Sequence, residues 1–157
     1  MSRETPHNDE EGEYATARLA DLIGYQLRRA SIFDLQGATA ALEPVQARPV
    51  PFSILLSIVE NPGTTSAEIC RTLGMKSANI VSILAEFEER GLFLRDADAS
   101  DQRIQRLFPT RKGEAAAREG LARIIEHENK LLSRLNGSER AELLRLLARL
   151  WQPDEPS

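Results

Sequence analysis

Residues 64–110 read TTSAEICRTLGMKSANIVSILAEFEERGLFLRDADASDQRIQRLFPT, and the hydrophobic period changes once along them. The first half is helical. Thr65 with Glu68 three residues on makes a capping box, in which each side chain satisfies the other's backbone donor. The helix it opens, Ser66 to Leu73, stops at Gly74. After a short turn a second helix carries Ile80, Val81, Leu84 and Phe87, and closes at Arg90-Gly91 with glycine in the C-terminal cap position. Two helices joined by a few residues containing glycine form a helix-turn-helix. Then the period shortens to that of strands. Leu92 to Arg95 and Arg103 to Phe108 read as two strands around a polar turn, Asp96 to Gln102. Helix, turn, helix and hairpin together make a winged helix.

Working outward, apolar residues at Leu19, Leu22, Ile23, Leu27 and Ala30 predict one long helix over about Tyr14 to Leu42, with Gly37 as a point for a kink. Pro44 and Pro49 end it. A second helix follows to Glu60, with Phe52, Leu55, Leu56 and Val59 inward and Asn61-Pro62-Gly63 as its stop. Beyond the hairpin, Thr110 caps a long helix from Arg111 to about Leu135, whose first turn Gly113 weakens. Gly137-Ser138 separates it from a last helix, Glu139 to Trp151, with leucines at 143, 144, 146, 147 and 150. The expected fold is mainly α with a small β-hairpin wing: a winged helix-turn-helix flanked by dimerisation helices. The flanking helices hold more apolar surface than the central lobe can cover, which points to burial across a symmetric dimer. The expected organisation is a tail over 1–12, a dimerisation helix over 13–48, the winged lobe over 49–110, dimerisation helices over 111–152 and a tail over 153–157.

Bulk composition agrees with this. The chain has 157 residues, 41% hydrophobic and 28% charged, enough for one domain with a real core. No run approaches the ~20 apolar residues of a bilayer span, so no membrane partner is expected. The acidic N-terminus lacks the order of a secretory signal. One cysteine, Cys70, excludes an internal disulfide and fits a reducing cytoplasm. The net charge of −4 runs against phosphate binding, but much of the acid lies at the chain ends, in Asp9, Glu10, Glu11, Glu13, Asp154 and Glu155.

In its motifs the sequence resembles the MarR family of bacterial regulators from about Leu19 to Trp151. The resemblance is carried by Leu73-Gly74-Met75 at the turn, by Leu84-x-x-Phe87-Glu88-x-Arg90-Gly91-Leu92, and by the wing signature Asp101-x-Arg103-x-x-x-Leu107-x-x-Thr110. It implies a homodimer that binds double-stranded DNA at a palindromic operator, with recognition helices in major grooves and wings in the flanking minor grooves. The DNA-contacting residues it implies are Ser66, Lys76, Ser77, Ala78, Asn79 and Ser82 on the helices, with Arg95, Asp101 and Arg103 on the wing. Physical chemistry supports the assignment: a helix N-terminus offers free N–H groups to phosphate, and Asn79 can pair bidentately with adenine. Asp101 is expected to hold the Arg103 guanidinium by a charge-assisted hydrogen bond. The bland alternative is that Ser77 and Asn79 are solvated and Asp101–Arg103 is an ordinary exposed ion pair. Three departures from the family pattern stand out. Lys76 replaces a capping residue, Pro109 replaces an aliphatic one, and the wing turn is acidic.

The resemblance also implies a ligand site: many relatives in that family hold a ligand, often an aromatic acid or phenol, between the dimer helices and the winged lobe. Tyr25, Arg28, Arg29 and Phe33 are the residues here that suit a small anionic aromatic or acyl-thioester effector; alternatively Tyr25 and Phe33 are core. Cys70, on the first helix of the motif, reads as a buried structural thiol rather than a redox sensor. His7 and His127 have no metal-ligating context, since Glu126 and Glu128 diverge from His127 on a helix. No phosphate loop or nucleophile elbow is present, so neither catalysis nor a cofactor is expected. The rival reading is a winged-helix module that docks a partner protein and binds no operator.

Overall fold

The computed structural model describes residues 18–152. The expected tails and the expected helix start at Tyr14 lie outside the described residues. The chain forms two compact units that part between Gln36 and Gly37. Its elements are α1 (Ile23–Leu42), α2 (Pro49–Glu60), α3 (Ser66–Leu73), α4 (Ile80–Glu89), β1 (Phe93–Ala97), β2 (Gln105–Pro109), α5 (Arg111–Leu131) and α6 (Gly137–Trp151). The winged helix-turn-helix is present as expected.

The long first helix is shorter than its apolar period suggested. A 3₁₀ turn, Leu19–Asp21, comes first, and Leu22 is extended (φ −80°, ψ 120°) before α1 begins. Arg18 and Asp21 close this turn reciprocally, the Arg18 N–H donating to the Asp21 carboxylate at 3.0 Å. Gly37 lies inside α1, where a Cβ would collide with the His127 imidazole. Close approach explains the glycine.

In the second unit α2 is the central element, packed against α3, β2 and α5. Pro49 and Pro51 sit in its first turn, where the missing N–H groups cost nothing. Sequence periodicity selected Phe52, Leu55, Leu56 and Val59 as its inner face. Ile54 and Ile58 are in fact fully buried, while Leu56 and Val59 are only partly so. A helix that is apolar nearly all round has no single stripe to choose, because it is covered from several sides. Around it the core gathers Ile69 and Cys70 of α3, Ile80, Leu84 and Phe87 of α4, Leu92, Phe93 and Leu107 of the hairpin, and Ala117 of α5. Cys70 is buried, as its position suggested.

The hairpin pairs antiparallel in the register Phe93↔Pro109 to Ala97↔Gln105. Both strands lie a residue or two later than expected. Thr64 joins the sheet through a bridge to Leu107, so the segment before α3 and the returning strand share hydrogen bonds: Gly63 N–H to Leu107 O and Leu107 N–H to Thr64 O, both 2.8 Å. Pro109 at the strand's end donates nothing, an arrangement proline tolerates. Among the described residues no helix is long and apolar enough to cross a membrane.

Candidate nucleic-acid interface

The capping box of α3 forms as expected: Thr65 Oγ1 accepts from Glu68 N–H at 3.3 Å and Glu68 Oε2 accepts from Thr65 N–H at 2.8 Å. These bonds to Thr65 hold the Glu68 carboxyl below its usual range. Ser66 stands at the first position of α3, half-buried. Gly74 ends the helix at φ 62°, the left-handed conformation that favours glycine.

After the turn, Ser77, Ala78 and Asn79 form a 3₁₀ turn that runs into α4. All three, with Lys76 and Ser82, are exposed. No side chain caps this start: neither the Lys76 nor the Asn79 side chain accepts a hydrogen bond from the first-turn amides. By contrast Thr65, Thr110 and Asn136 cap α3, α5 and α6. The departure at Lys76 thus has a physical consequence. Asn79 and Ile80 N–H bond back to the Lys76 and Ser77 carbonyls. The Ser77 and Ala78 amides, which lack a partner among the described residues, are left to an external acceptor at the positive end of the helix dipole.

On α4, Ile80, Leu84 and Phe87 are buried at the i, i+4, i+7 spacing. Val81 was grouped with them in the sequence reading, yet it is 67% exposed. The step of one residue rotates it by about 100°, off the buried stripe. The spacing contained that signal; hydrophobicity alone concealed it.

In the wing, the anticipated brace between Asp101 and Arg103 takes another form. Asp101 Oδ1 accepts from the Arg103 backbone N–H at 3.0 Å, and the Arg103 guanidinium makes no ion pair with the described residues. The charged brace of the wing is instead Asp98 with Arg106. Asp98 is 8% exposed; its Oδ1 accepts from the Ser100 hydroxyl, from Ser100 N–H at 2.8 Å and from Asp101 N–H at 3.2 Å. Its Oδ2 accepts from Arg106 Nε, and Arg106 also donates to the Gly63 carbonyl at 2.9 Å. The Ser100 hydroxyl and amide, then Arg106, hold the Asp98 carboxyl well below the usual carboxylate range. Sequence reading missed this pair because its partners stand eight residues apart, Asp98 just past the end of β1 and Arg106 on β2. Only the hairpin register brings them together.

Arg95, expected at a phosphate, is already engaged. Its Nε donates to Glu88 Oε2 at 3.0 Å, and its guanidinium stands 5.4 Å from the Phe93 ring centre. At the far end of α4, the carbonyls of Arg90 and Gly91 accept from Lys112 Nζ and Thr110 Oγ1, each at 2.7 Å. Thr110 N–H donates to Leu92 O at 3.1 Å.

Of the residues chosen for an effector, Tyr25 is half-buried while Arg28, Arg29 and Phe33 are exposed on α1. The spacing of four puts Tyr25, Arg29 and Phe33 on one stripe. Separately, a cavity of about 220 Å³ in the second unit is lined by Arg48, Phe52, Phe87, Arg90 and Ala116 among others. Sequence reading did not select these residues for a ligand, since its apolar members repeat at helical spacing like any core.

A model described as the MarR family matches residues 48–104. A Thauera aromatica protein described as a transcriptional regulatory protein for the hcr operon is 26% identical over 153 residues, covering 97% of this chain and 92% of that one. The solved structure of the transcriptional repressor CouR bound to a 23-mer DNA duplex is 36% identical, with a TM-score of 0.78, covering 84% of this chain and 94% of that one. CouR from Rhodococcus jostii RHA1 bound to p-coumaroyl-CoA is 25% identical with a TM-score of 0.83, covering 90% of this chain and all of that one (100%).

Proposed function

The chain belongs to the MarR family of transcriptional regulators, and from that premise we propose that it is a repressor that binds an inverted-repeat DNA operator as a homodimer and releases it to a small-molecule effector. The observation that carries this reading is the uncapped start of the recognition segment. Thr65, Thr110 and Asn136 cap α3, α5 and α6, whereas the start of the recognition segment has no side-chain cap, and unlike the proline-led α2 it has exposed Ser77 and Ala78 amides. A phosphate is the acceptor that such a turn suits. Ser77, Asn79 and Ser82 then face base edges, and Arg103, its backbone fixed by Asp101, enters the minor groove beside them. Ser66 and Lys76 serve phosphates; Arg95 does so only by giving up Glu88.

In this reading the segment 49–110 reads DNA, while 13–48 and 111–152 hold the two subunits together. Two subunits then present two recognition helices, which is why the operator is an inverted repeat. The protein works in the cytoplasm and catalyses no reaction. For the effector, Tyr25, Arg29 and Phe33 on one stripe, with Arg28 beside them, suit an anionic aromatic acid or an aromatic acyl thioester. A relative described bound to p-coumaroyl-CoA supports that chemical class. Such an effector works by preferring the dimer conformation that does not fit the operator.

Selection of bound duplexes from a random library, followed by gel-shift titration at fixed salt, tests the proposal. Enrichment of an inverted repeat is expected, and its release by an aromatic acyl-CoA but not by free CoA. The rival, a protein-docking module, draws support from Leu94 and Phe108, which are exposed and directly paired across the hairpin. That rival requires the library to return nothing enriched.

A further inference from the structure

The exposed face of α4 is unusual for a surface that meets a polyanion. Val81, Ser82 and Ala85 of α4, with Ala78 of the turn that leads into it, lie at the i, i+3, i+4, i+7 spacing counted from Ala78, all exposed, and none of the four carries a charge or a long polar side chain. Val81 stands at the centre of this stripe, 67% exposed and outside the buried core of the lobe. The long polar and charged side chains near it, Lys76 and Asn79, belong to the turn before the helix; Glu86, Glu88 and Glu89 follow at its far end.

We propose that α4 reads thymine 5-methyl groups through Val81, so that operator choice rests partly on apolar contact at T·A pairs. The inference rests on the reading of α4 as the major-groove helix. In that groove, purine edges are matched by bidentate Arg, Lys, Asn or Gln side chains, whereas the thymine methyl is the one feature that an aliphatic side chain complements. The centre of the α4 face has the second kind of chemistry and lacks the first. Small neighbours at 78, 82 and 85 add a geometric reason. A helix with its side chains is about 10–12 Å across and the groove about 12 Å wide, so short side chains let Val81 reach the groove floor. Asn79 and Ser77, one turn earlier, supply the polar contacts that fix register.

The test uses the full-length protein and the duplex recovered by library selection. Each thymine of a half-site is replaced singly by 2′-deoxyuridine, which removes the methyl and keeps every hydrogen-bonding group. Affinities are compared by competition gel shift for the natural chain, Val81→Ala and Val81→Ile. For the natural chain, at least one thymine per half-site is expected to weaken binding about fourfold on replacement, the worth of one buried methylene-sized group. Val81→Ile keeps that sensitivity. Val81→Ala binds the thymine duplex more weakly by a similar factor and no longer distinguishes thymine from uracil. Its melting temperature stays near that of the natural chain, because the side chain is mostly outside the core. A half-site in which no uracil weakens binding overturns the inference, as does full methyl sensitivity surviving in Val81→Ala; in both cases the DNA-binding reading stands. A library that enriches no duplex overturns that reading, and this inference with it.

Discussion

Asp98 and Arg106 show what a single buried charge does for the wing. The Asp98 carboxylate gathers the Ser100 hydroxyl, two turn amides and the Arg106 guanidinium, so the turn that presents Arg103 is held from within. Because this carboxyl titrates below its unfolded value, it stabilises the folded state above about pH 4, and that contribution is lost as pH falls through the depressed native value. Asp98→Asn is therefore expected to lower stability at pH 7 and to flatten the acid dependence of denaturant unfolding between pH 5 and 2. An unchanged acid slope would remove Asp98 from this role. Arg103→Ala is expected to leave folding untouched, since its side chain pairs with none of the described residues, and to weaken operator binding by about 1–3 kcal/mol in a gel shift at fixed salt. At this scale the sequence was only partly legible. The wing signature located Asp101 and Arg103 but assigned their contact to the wrong donor, because a hydrogen bond to the Arg103 amide serves the local turn at no cost in side-chain entropy. Asp98 was legible only as one acid among several.

Among the elements, local signals were read best where one chemical group decides the outcome. The Thr65–Glu68 box, Gly74, Gly91 and Thr110 each stand where the motif put them. Boundaries governed by competition were read less well. Asn136, which accepts from Ser138 and Glu139 N–H, starts α6 at Gly137, two residues before the sequence reading. The preceding helix stops at Leu131 rather than Leu135. There Arg140 donates to the carbonyls of Leu132 and Leu135 and to Asn129 Oδ1, contacts that exist only after both helices are in place. Gly113 was read as a weak point in its helix, yet a Cβ there would strike the Leu92 carbonyl. Gly113→Ala gains helix propensity and still is expected to destabilise the fold, by about 1–3 kcal/mol in denaturant unfolding, because backbone cannot step aside as a side chain can. A stability equal to or above the natural chain's would refute that close approach.

For the whole molecule, the surplus of apolar surface on the last helix is the main fact. Leu144, Leu150 and Trp151 are each about two-thirds or more exposed, and α6 has no buried residue at all. The broad leucine face was plain in the sequence; what covers it was not, because one chain cannot display a contact that needs two. If that face seats a second subunit, Leu144→Glu with Leu150→Glu yields monomers in sedimentation and abolishes operator binding while helix content persists. A dimer of unchanged stability would place the interface elsewhere. The net charge of −4 has its own consequence. Few cations surround the reading face, so the slope of log affinity against log salt is expected to be shallow, near the count of phosphates actually neutralised.

The ends of the hairpin are fastened to each other through the junction of α4 with α5: Thr110 binds Gly91 and Leu92, and Lys112 binds Arg90. The hairpin therefore departs from and returns to that junction, with a second tie from Arg106 and Leu107 to Gly63 and Thr64. Exposed tip residues outside the Asp98 brace, such as Ala99 and Gln102, can be exchanged without re-aiming either helix. Minor-groove preference can then drift during evolution while the helical reading face keeps its aim, and the wing behaves as a replaceable cassette on a constant mount.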